Sequence, residues 1–457
     1  MTADLLFDGG YVVTMDPERR MIRDGAVAVT DGAIVAVGKS ADLRGQYPAA
    51  RRVDCTDRLV IPGLIDAHNH PVHFLSQGFS DDVPVRWRIA NRIRPLEQAI
   101  SAADTQAAAM GNFAAMLLNG TTCFADPGST HPEAVCAAAE EIGIRGVVAR
   151  SSQDRSTASM PTASARLEST EEVLAASAAF HDAWDGRADG RISAGFSLRD
   201  METTSDELRI GMCAAAQRCG GSVQMHLILG NEPQRPPSDI ERLDRLGILG
   251  PHLALVHMGA VTEAEAELLA ATGTRVVHCP SASMVGAMGV VGSGGFPKMF
   301  DAGVVVGLGT DAAAVSRFLD LIRVMYLAAA AHKDVTADPL AAGSYRALEM
   351  ATIDGARVLR IDDRVGSLEV GKRADLVTLD LTGPAWQPDP YFNPVANLVY
   401  AADSSSVRTV VVDGRVLVED RVATGFDPAE LWQASRRARE TVMTRSGIDL
   451  KPKWPVF

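Results

Sequence analysis

Apolar and polar residues alternate at both ends of this chain and gather into longer apolar runs in its middle. Leu5-Leu6-Phe7, Tyr11-Val12-Val13-Thr14-Met15, Ala26-Val27-Ala28-Val29-Thr30 and Ile34-Val35-Ala36-Val37 read as short strands. Asp8-Gly9-Gly10 and Asp31-Gly32 between them are turn signals, because glycine tolerates the positive φ of tight hairpins. The same texture returns in Asp375-Leu376-Val377-Thr378-Leu379, Val407 to Val412 and Val416-Leu417-Val418, around the turn Asp413-Gly414. The middle alternates apolar runs with Ala-rich amphipathic stretches, as parallel strands joined by helices do. The expected strands are Leu59 to Asp66, Thr122 to Asp126, Gly143 to Ala149, Ile192 to Leu198, Ser222 to His226, Leu253 to His257, Arg275 to His278 and Val304 to Asp311. Glu97 to Leu118 reads as a helix stopped by Gly120.

Eight such strands in about 300 residues predict an α/β fold, a (β/α)8 TIM barrel. The two β-rich ends predict a small β-sandwich built from both termini. The expected organisation is a composite β-domain of 1–57 and 363–425, a barrel over 58–362, and a polar, Arg-rich C-terminal helix and tail over 426–457. No internal repeat stands out.

Composition narrows the partners. The chain has 457 residues and a net charge of −13, which disfavours nucleic acid and anionic membrane, since both reward clustered Lys and Arg. No apolar run reaches membrane-spanning length. The start, Met-Thr-Ala-Asp-Leu-Leu, lacks a basic segment followed by an apolar one, so a cytoplasmic protein is expected. The six cysteines show no CxxC pairing and read as reduced core residues. A small-molecule substrate and further copies of the same chain are the expected partners.

The chemistry lies at strand ends. The first barrel strand closes in Asp66-Ala67-His68-Asn69-His70, where alternation turns His68 and His70 to one face. His226, His257 and His278 end three further strands, and Asp311 ends the eighth. Barrel enzymes keep their active sites at these C-terminal ends. Imidazoles with one carboxylate suit one divalent transition metal, Zn²⁺ or alternatively Fe²⁺. A lone histidine is more often a surface or satisfied core residue. His131, His181, His252 and His332 are read that way, while His73, just past the paired histidines, is left open.

The ordered motifs resemble the amidohydrolase superfamily nearly end to end. Pro62-Gly63-Leu64-Ile65-Asp66-Ala67-His68-Asn69-His70 is similar to its opening metal motif, and Gly366 to Val377 to its return into the β-domain. Gln77 to Pro84, the run Arg94-Pro95-Leu96-Glu97 and Val276 to Ser283 look like the branch of triazine hydrolases and guanine- or adenosine-type deaminases. The resemblance implies a mononuclear site. His68, His70, His226 and Asp311 would be its ligands, His257 a proton-moving or substrate-polarising group, and His278 a residue near the substrate. Binuclear relatives use a bridging lysine, and none occurs here between Lys39 and Lys298. Glu133 is the conceivable substitute bridge, in the wrong element.

Two departures bear on substrate. Deaminases of this branch carry a glutamate three residues after the strand-5 histidine, where this chain has Leu229; Glu232 stands three places further on. Ser283 stands where relatives carry asparagine. Leu229, Ser283 and His278 are the candidate substrate contacts, with His257 and Asp311 as catalytic groups. The expected reaction is metal-assisted hydrolysis of a C–N or C–S bond at a urea, carbamate or amide carbonyl, as in phenylurea and molinate hydrolases. Deamination or dechlorination of a heterocycle is the alternative, and a non-catalytic scaffold a third reading.

Overall fold

The computed structural model describes residues 2–79, 81–157, 161, 166–229, 238–450 and 454–455, without the side chains of 228 and 229. The N-terminal strands are β1 (Ala3–Val13), β2 (Met21–Thr30), β3 (Ala33–Lys39), β4 (Ala49–Asp54) and β5 (Arg58–Pro62). The barrel strands are β6 (Leu64–Asp66), β7 (Thr121–Ser129), β8 (Arg145–Arg150), β9 (Ile192–Ala194), β10 (Phe196–Leu198), β11 (Val223–Leu229), β12 (Leu253–Met258), β13 (Arg275–His278) and β14 (Val306–Leu308). The chain returns through β15 (Leu376–Asp380), β16 (Val407–Val412), β17 (Arg415–Glu419) and β18 (Val422–Ala423).

Both ends of the chain share one sheet, in the order β18-β17-β16-β15-β5-β1-β2-β3, with β4 also paired to β1. Asp8-Gly9-Gly10 is not a hairpin turn. It is a bulge inside β1, where the register with β2 shifts and the other edge changes partner from β4 to β5. Asp31-Gly32 and Asp413-Gly414 do join antiparallel pairs.

The run from Leu59 to Asp66, expected as one barrel strand, divides at Gly63. Its first half pairs with β15 in the terminal sheet, and its second opens the barrel beside β7. A Cβ on Gly63 would lie 2.0 Å from Thr122 Oγ1, so only glycine lets the chain cross here.

The barrel strands form two parallel arcs, β6-β7-β8-β9 and β10-β11-β12-β13-β14. The arcs join on one side through the chain itself, since β9 and β10 are separated only by Gly195; on the other side Ala67 N donates to Leu308 O at 2.8 Å. The expected helix from Glu97 to Leu118 is two helices, Arg94–Ala99 and Ala102–Leu118. Ser101 caps the second through a reciprocal hydrogen-bond pair with Asp104. The C-terminal helix Pro428–Ser446 braces it from outside: Ser435 Oγ donates to Ala107 O at 2.7 Å, and Arg439 to Gln77 O at 2.7 Å.

Packing is apolar throughout the barrel wall. Phe113 of that helix and Phe124 of β7 are fully buried with ring centroids 4.3 Å apart, each stabilising the fold by about 1.5–3 kcal/mol. Where barrel meets sheet, buried Arg145 forms paired bonds to Asp375 at 2.7 and 3.0 Å and reaches Asp413 at 3.5 Å. Five of the six cysteines are buried, Cys219 is exposed, and all are free. Among the described residues no helix is long and apolar enough to cross a membrane.

Candidate metal centre and active site

The C-terminal ends of β6, β11, β12 and β14 bring His68, His70, His226, His257 and Asp311 together. Gly309 allows the last approach, since a Cβ there would lie 2.8 Å from His68 Cβ and O. His68, His226 and His257 form one group able to hold a metal, and His68, His70 and Asp311 another. His226 Nε2 and His70 Nε2 are 3.3 Å apart. That matches two corners of a tetrahedral site, about 3.4 Å apart for bonds near 2.1 Å. His68 Nε2 is buried with no hydrogen-bond partner, as a nitrogen reserved for a metal would be.

Neighbouring groups set the ring tautomers. Gln224 Oε1 accepts from His68 Nδ1 at 2.9 Å while its amide donates to Ala67 O at 2.8 Å, so Nε2 keeps its lone pair for the centre. His226 is bonded to the backbone of Arg199. Burial pushes the pKa values of His68, His70 and His226 down, keeping the imidazoles neutral, the form that binds metals. Asp66 accepts from Thr310 N at 2.9 Å and from its hydroxyl. Asn69 donates to Thr310 Oγ1 at 2.9 Å and to Asp311 O at 3.0 Å. These bonds hold the turn that carries Asp311.

Asp311 looks two ways. Its Oδ1 lies 3.6 Å from His70 Nε2 and 3.8 Å from His68 Nε2, while Oδ2 lies 3.6 Å from His257 Nε2. Burial pushes His257 down to about 4, against the pull of Asp311, and its Nδ1 has no partner. Both residues adopt left-handed backbone conformations, φ 70° at His257 and 61° at Asp311, a strain that concentrates at functional positions.

His278 is buried against Phe296, ring centroids 3.7 Å apart, and its Nε2 is 3.0 Å from His332 Nε2. It therefore touches a helix-borne histidine, with His257 of the imidazole cluster near enough to act on its charge. Ser283 is buried in the first turn of the helix Pro280–Val285. The side chain of Leu229, and Glu232, lie outside the described residues. Glu133 is exposed on the helix Pro132–Ile142, away from the centre. His181 Nδ1 donates to Ala194 O at 2.7 Å, and His131 bonds Ile100 O at 3.2 Å.

Sequence reasoning missed an acidic hub beside the histidines. Buried Glu97 takes bonds from Arg94 at 2.6 Å and Arg199 at 3.2 Å, and lies 3.3 Å from His73 Nε2. Burial pushes its carboxyl up, but Arg199, Arg94 and His73 outweigh that and hold it well below the usual range. Arg199 directly follows β10, a charged residue at a barrel-strand end, and Gln224 lies two residues before His226 on the same face. Both positions were readable signals. Arg88 had none: it is buried beside the centre, and its charge acts on Asp311 and His257.

The model of the amidohydrolase family matches residues 59–417, and that of an imidazolonepropionase-like composite domain of bacteria matches residues 25–50. This chain belongs to the amidohydrolase family and is a metal-dependent hydrolase. A 5-methylthioadenosine/S-adenosylhomocysteine deaminase of Syntrophobacter fumaroxidans is 34% identical over 96% of this chain and 98% of that protein. A 5'-deoxyadenosine deaminase of Methanosarcina mazei is 30% identical over 97% and 99%. The crystal structure of an adenosine deaminase from Xanthomonas campestris with bound zinc superposes with a TM-score of 0.89 at 32% identity, over 97% of this chain and 99% of that one. Atrazine chlorohydrolase of Arthrobacter aurescens, complexed with zinc, shares the fold, with a TM-score of 0.83 at 22% identity over 95% and 100%. A phenylurea or thiocarbamate hydrolase is not among these likenesses, which instead favour the deaminase alternative.

Proposed function

We propose that this protein is a hydrolytic deaminase of an amino-substituted nitrogen heterocycle, of the aminopurine nucleoside type. What carries the reading is likeness to deaminases, at 30% identity or more over nearly the whole chain, in a protein with its His–Asp centre intact. His68, His70, His226 and Asp311 would hold a single divalent metal, zinc by the donor set and by the zinc-bound relative. When bound, the metal supplies a Lewis acid that brings water towards ionisation at neutral pH.

The remaining chemistry belongs to the chain. Asp311 accepts a proton from the attacking water. Its second oxygen, facing His257, hands that proton on. His257 then protonates the departing nitrogen. Nδ1 of His257, lacking a partner, is free to meet the substrate.

A second reading rests on Leu229. It stands where such deaminases carry an acid, and a leucine donates no proton to a ring nitrogen. This favours attack at a urea or thiocarbamate carbonyl, which needs only a protonated leaving group. A panel of adenosine, 5'-deoxyadenosine, methylthioadenosine, aryl ureas and thiocarbamates, with product identification, separates the two. Ammonia released from an aminopurine nucleoside, at a higher kcat/KM than any urea or carbamate cleavage, is expected. Amine or thiol release without ammonia would reverse the order.

A further inference from the structure

One buried charge at the mouth has no bonded partner among the described residues. Arg88 ends the short helix Val85–Arg88 and is followed by a π-helical turn, Ile89–Ile93. Such turns gather at functional sites. Arg88 is 4% exposed. Its guanidinium makes no hydrogen bond or ion pair to any described residue; the carboxylate it senses is Asp311, beyond ion-pair distance. The other two arginines of the mouth differ, because both are bonded to Glu97. Even so, Arg94 Nε and Nη2 are buried and unpartnered.

Among the described residues the charges do not balance without a ligand. Arg88, Arg94 and Arg199 bring three positive charges, and a divalent metal adds two. Glu97 and Asp311 supply two negative ones. The other described buried acids nearby are Asp66, whose oxygens are taken up by Thr310, and Asp126, which burial pushes up to about 7, so that little of its charge is available. A desolvated cation is strongly unfavourable unless something anionic meets it. Five N–H donors in a planar fork match a carboxylate or an oxo oxygen better than a ring nitrogen or an apolar group.

We infer that Arg88 is a specificity-determining residue that binds an oxygen carrying full or partial negative charge, placed on the substrate close to the reacting carbon. Two chemical sources share this recognition: a carboxylate, or the oxo group of a heterocycle. The inference rests on the reading of the mouth as the place where substrate is hydrolysed. Within the proposed aminoheterocycle class it favours, over otherwise matched members, those that also carry an oxo or carboxyl oxygen.

Calorimetric titration of the metal-loaded full chain tests this without turnover, using two matched pairs of probes. Benzoate against benzamide reports the carboxylate, and hypoxanthine against purine reports the oxo group. In at least one pair the oxygen-bearing member should bind about 10- to 100-fold more tightly, the range for one charge-assisted hydrogen-bond set. Arg88→Met should bring that ratio within about twofold while leaving the other member's affinity unchanged, and Arg88→Lys should restore part of it. Arg88→Met should also melt no lower than wild type, because it removes an uncompensated buried charge, whereas loss of a structural arginine would lower the melting temperature. The inference is overturned if neither pair shows a preference, if neither oxygen-bearing probe binds, or if the preference survives Arg88→Met. An Arg88-dependent preference in a protein that releases no ammonia overturns only the deaminase reading; ammonia release without that preference overturns only this one.

Discussion

Arg145, between barrel and terminal sheet, and Arg88, at the barrel mouth, are equally buried, 3% and 4% exposed. Their surroundings are opposite. At Arg145 burial works against the charge, but Asp375 and then Asp413 outweigh it and raise the guanidinium pKa above its usual value. At Arg88 burial lowers the pKa, with only the distant Asp311 in opposition. At the joint Arg145 finds its acceptors, and they are tied in turn: Asp413 N also donates to Asp375 at 2.8 Å, and Arg373 bonds Asp413, while Nε and Nη1 of neighbouring Arg191 stay unpartnered. The mouth leaves His68 Nε2, His257 Nδ1, and Arg94 Nε and Nη2 without partners. Buried polar groups in proteins are nearly always satisfied, so a cluster of unsatisfied ones marks where something else binds.

That contrast can be broken first at the joint. Arg145→Met strands two buried carboxylates and should destabilise the protein by about 3–5 kcal/mol in urea unfolding. A loss of under about 1 kcal/mol would mean that Arg145 does not hold the joint as described here. Next, at the mouth, His257→Asn should keep its metal by elemental analysis and lose about 10²-fold or more in kcat/KM, equivalent to about 2.7 kcal/mol of barrel-mouth catalysis. Metal loss in that variant would make His257 a ligand instead.

The smallest effect is expected in the acid limb of stability at Glu97, the mouth carboxylate that Arg94 and Arg199 pair. Its pKa is depressed in the folded protein, so its contribution is fully present above its unfolded value and fades as pH falls through its folded value. Wild type should therefore lose stability more steeply than Glu97→Gln as the solution is acidified from about pH 5. Parallel acid-unfolding curves would show that Glu97 is not held by Arg94 and Arg199.

Much of this was legible in the sequence. Strand-end histidines announce themselves because period-two alternation and a barrel's C-terminal face leave few places for them to point. Thus His68, His70, His226, His257 and Asp311 could be read before any coordinates, and so could the barrel and the sheet shared by both termini. What escaped depended on distant partners. Nothing local says that the strand beginning at Leu59 changes sheets at Gly63; the reason is Thr122, which occupies the space a side chain would need. His278 ends its strand as the others do, yet its neighbour is His332, from a helix far along the chain. Arg88 resembles any arginine of an amphipathic turn until its burial and its lack of a bonded counter-charge among the described residues are seen together.

The shared sheet also has a consequence in time. β5 pairs with β1 on one edge and β15 on the other, and roughly 310 residues separate the end of β5 from the start of β15. A ribosome adding 5–20 residues per second needs about 15–60 s to make that stretch. Throughout it, the β5 edge of the nascent N-terminal sheet waits for strands that do not yet exist, exposed to any other extended chain that could pair with it. The fold is completed only when one of the last segments to leave the ribosome docks against one of the first. Newly made chains should therefore depend on chaperones during synthesis far more than the finished protein does once that edge has been sealed.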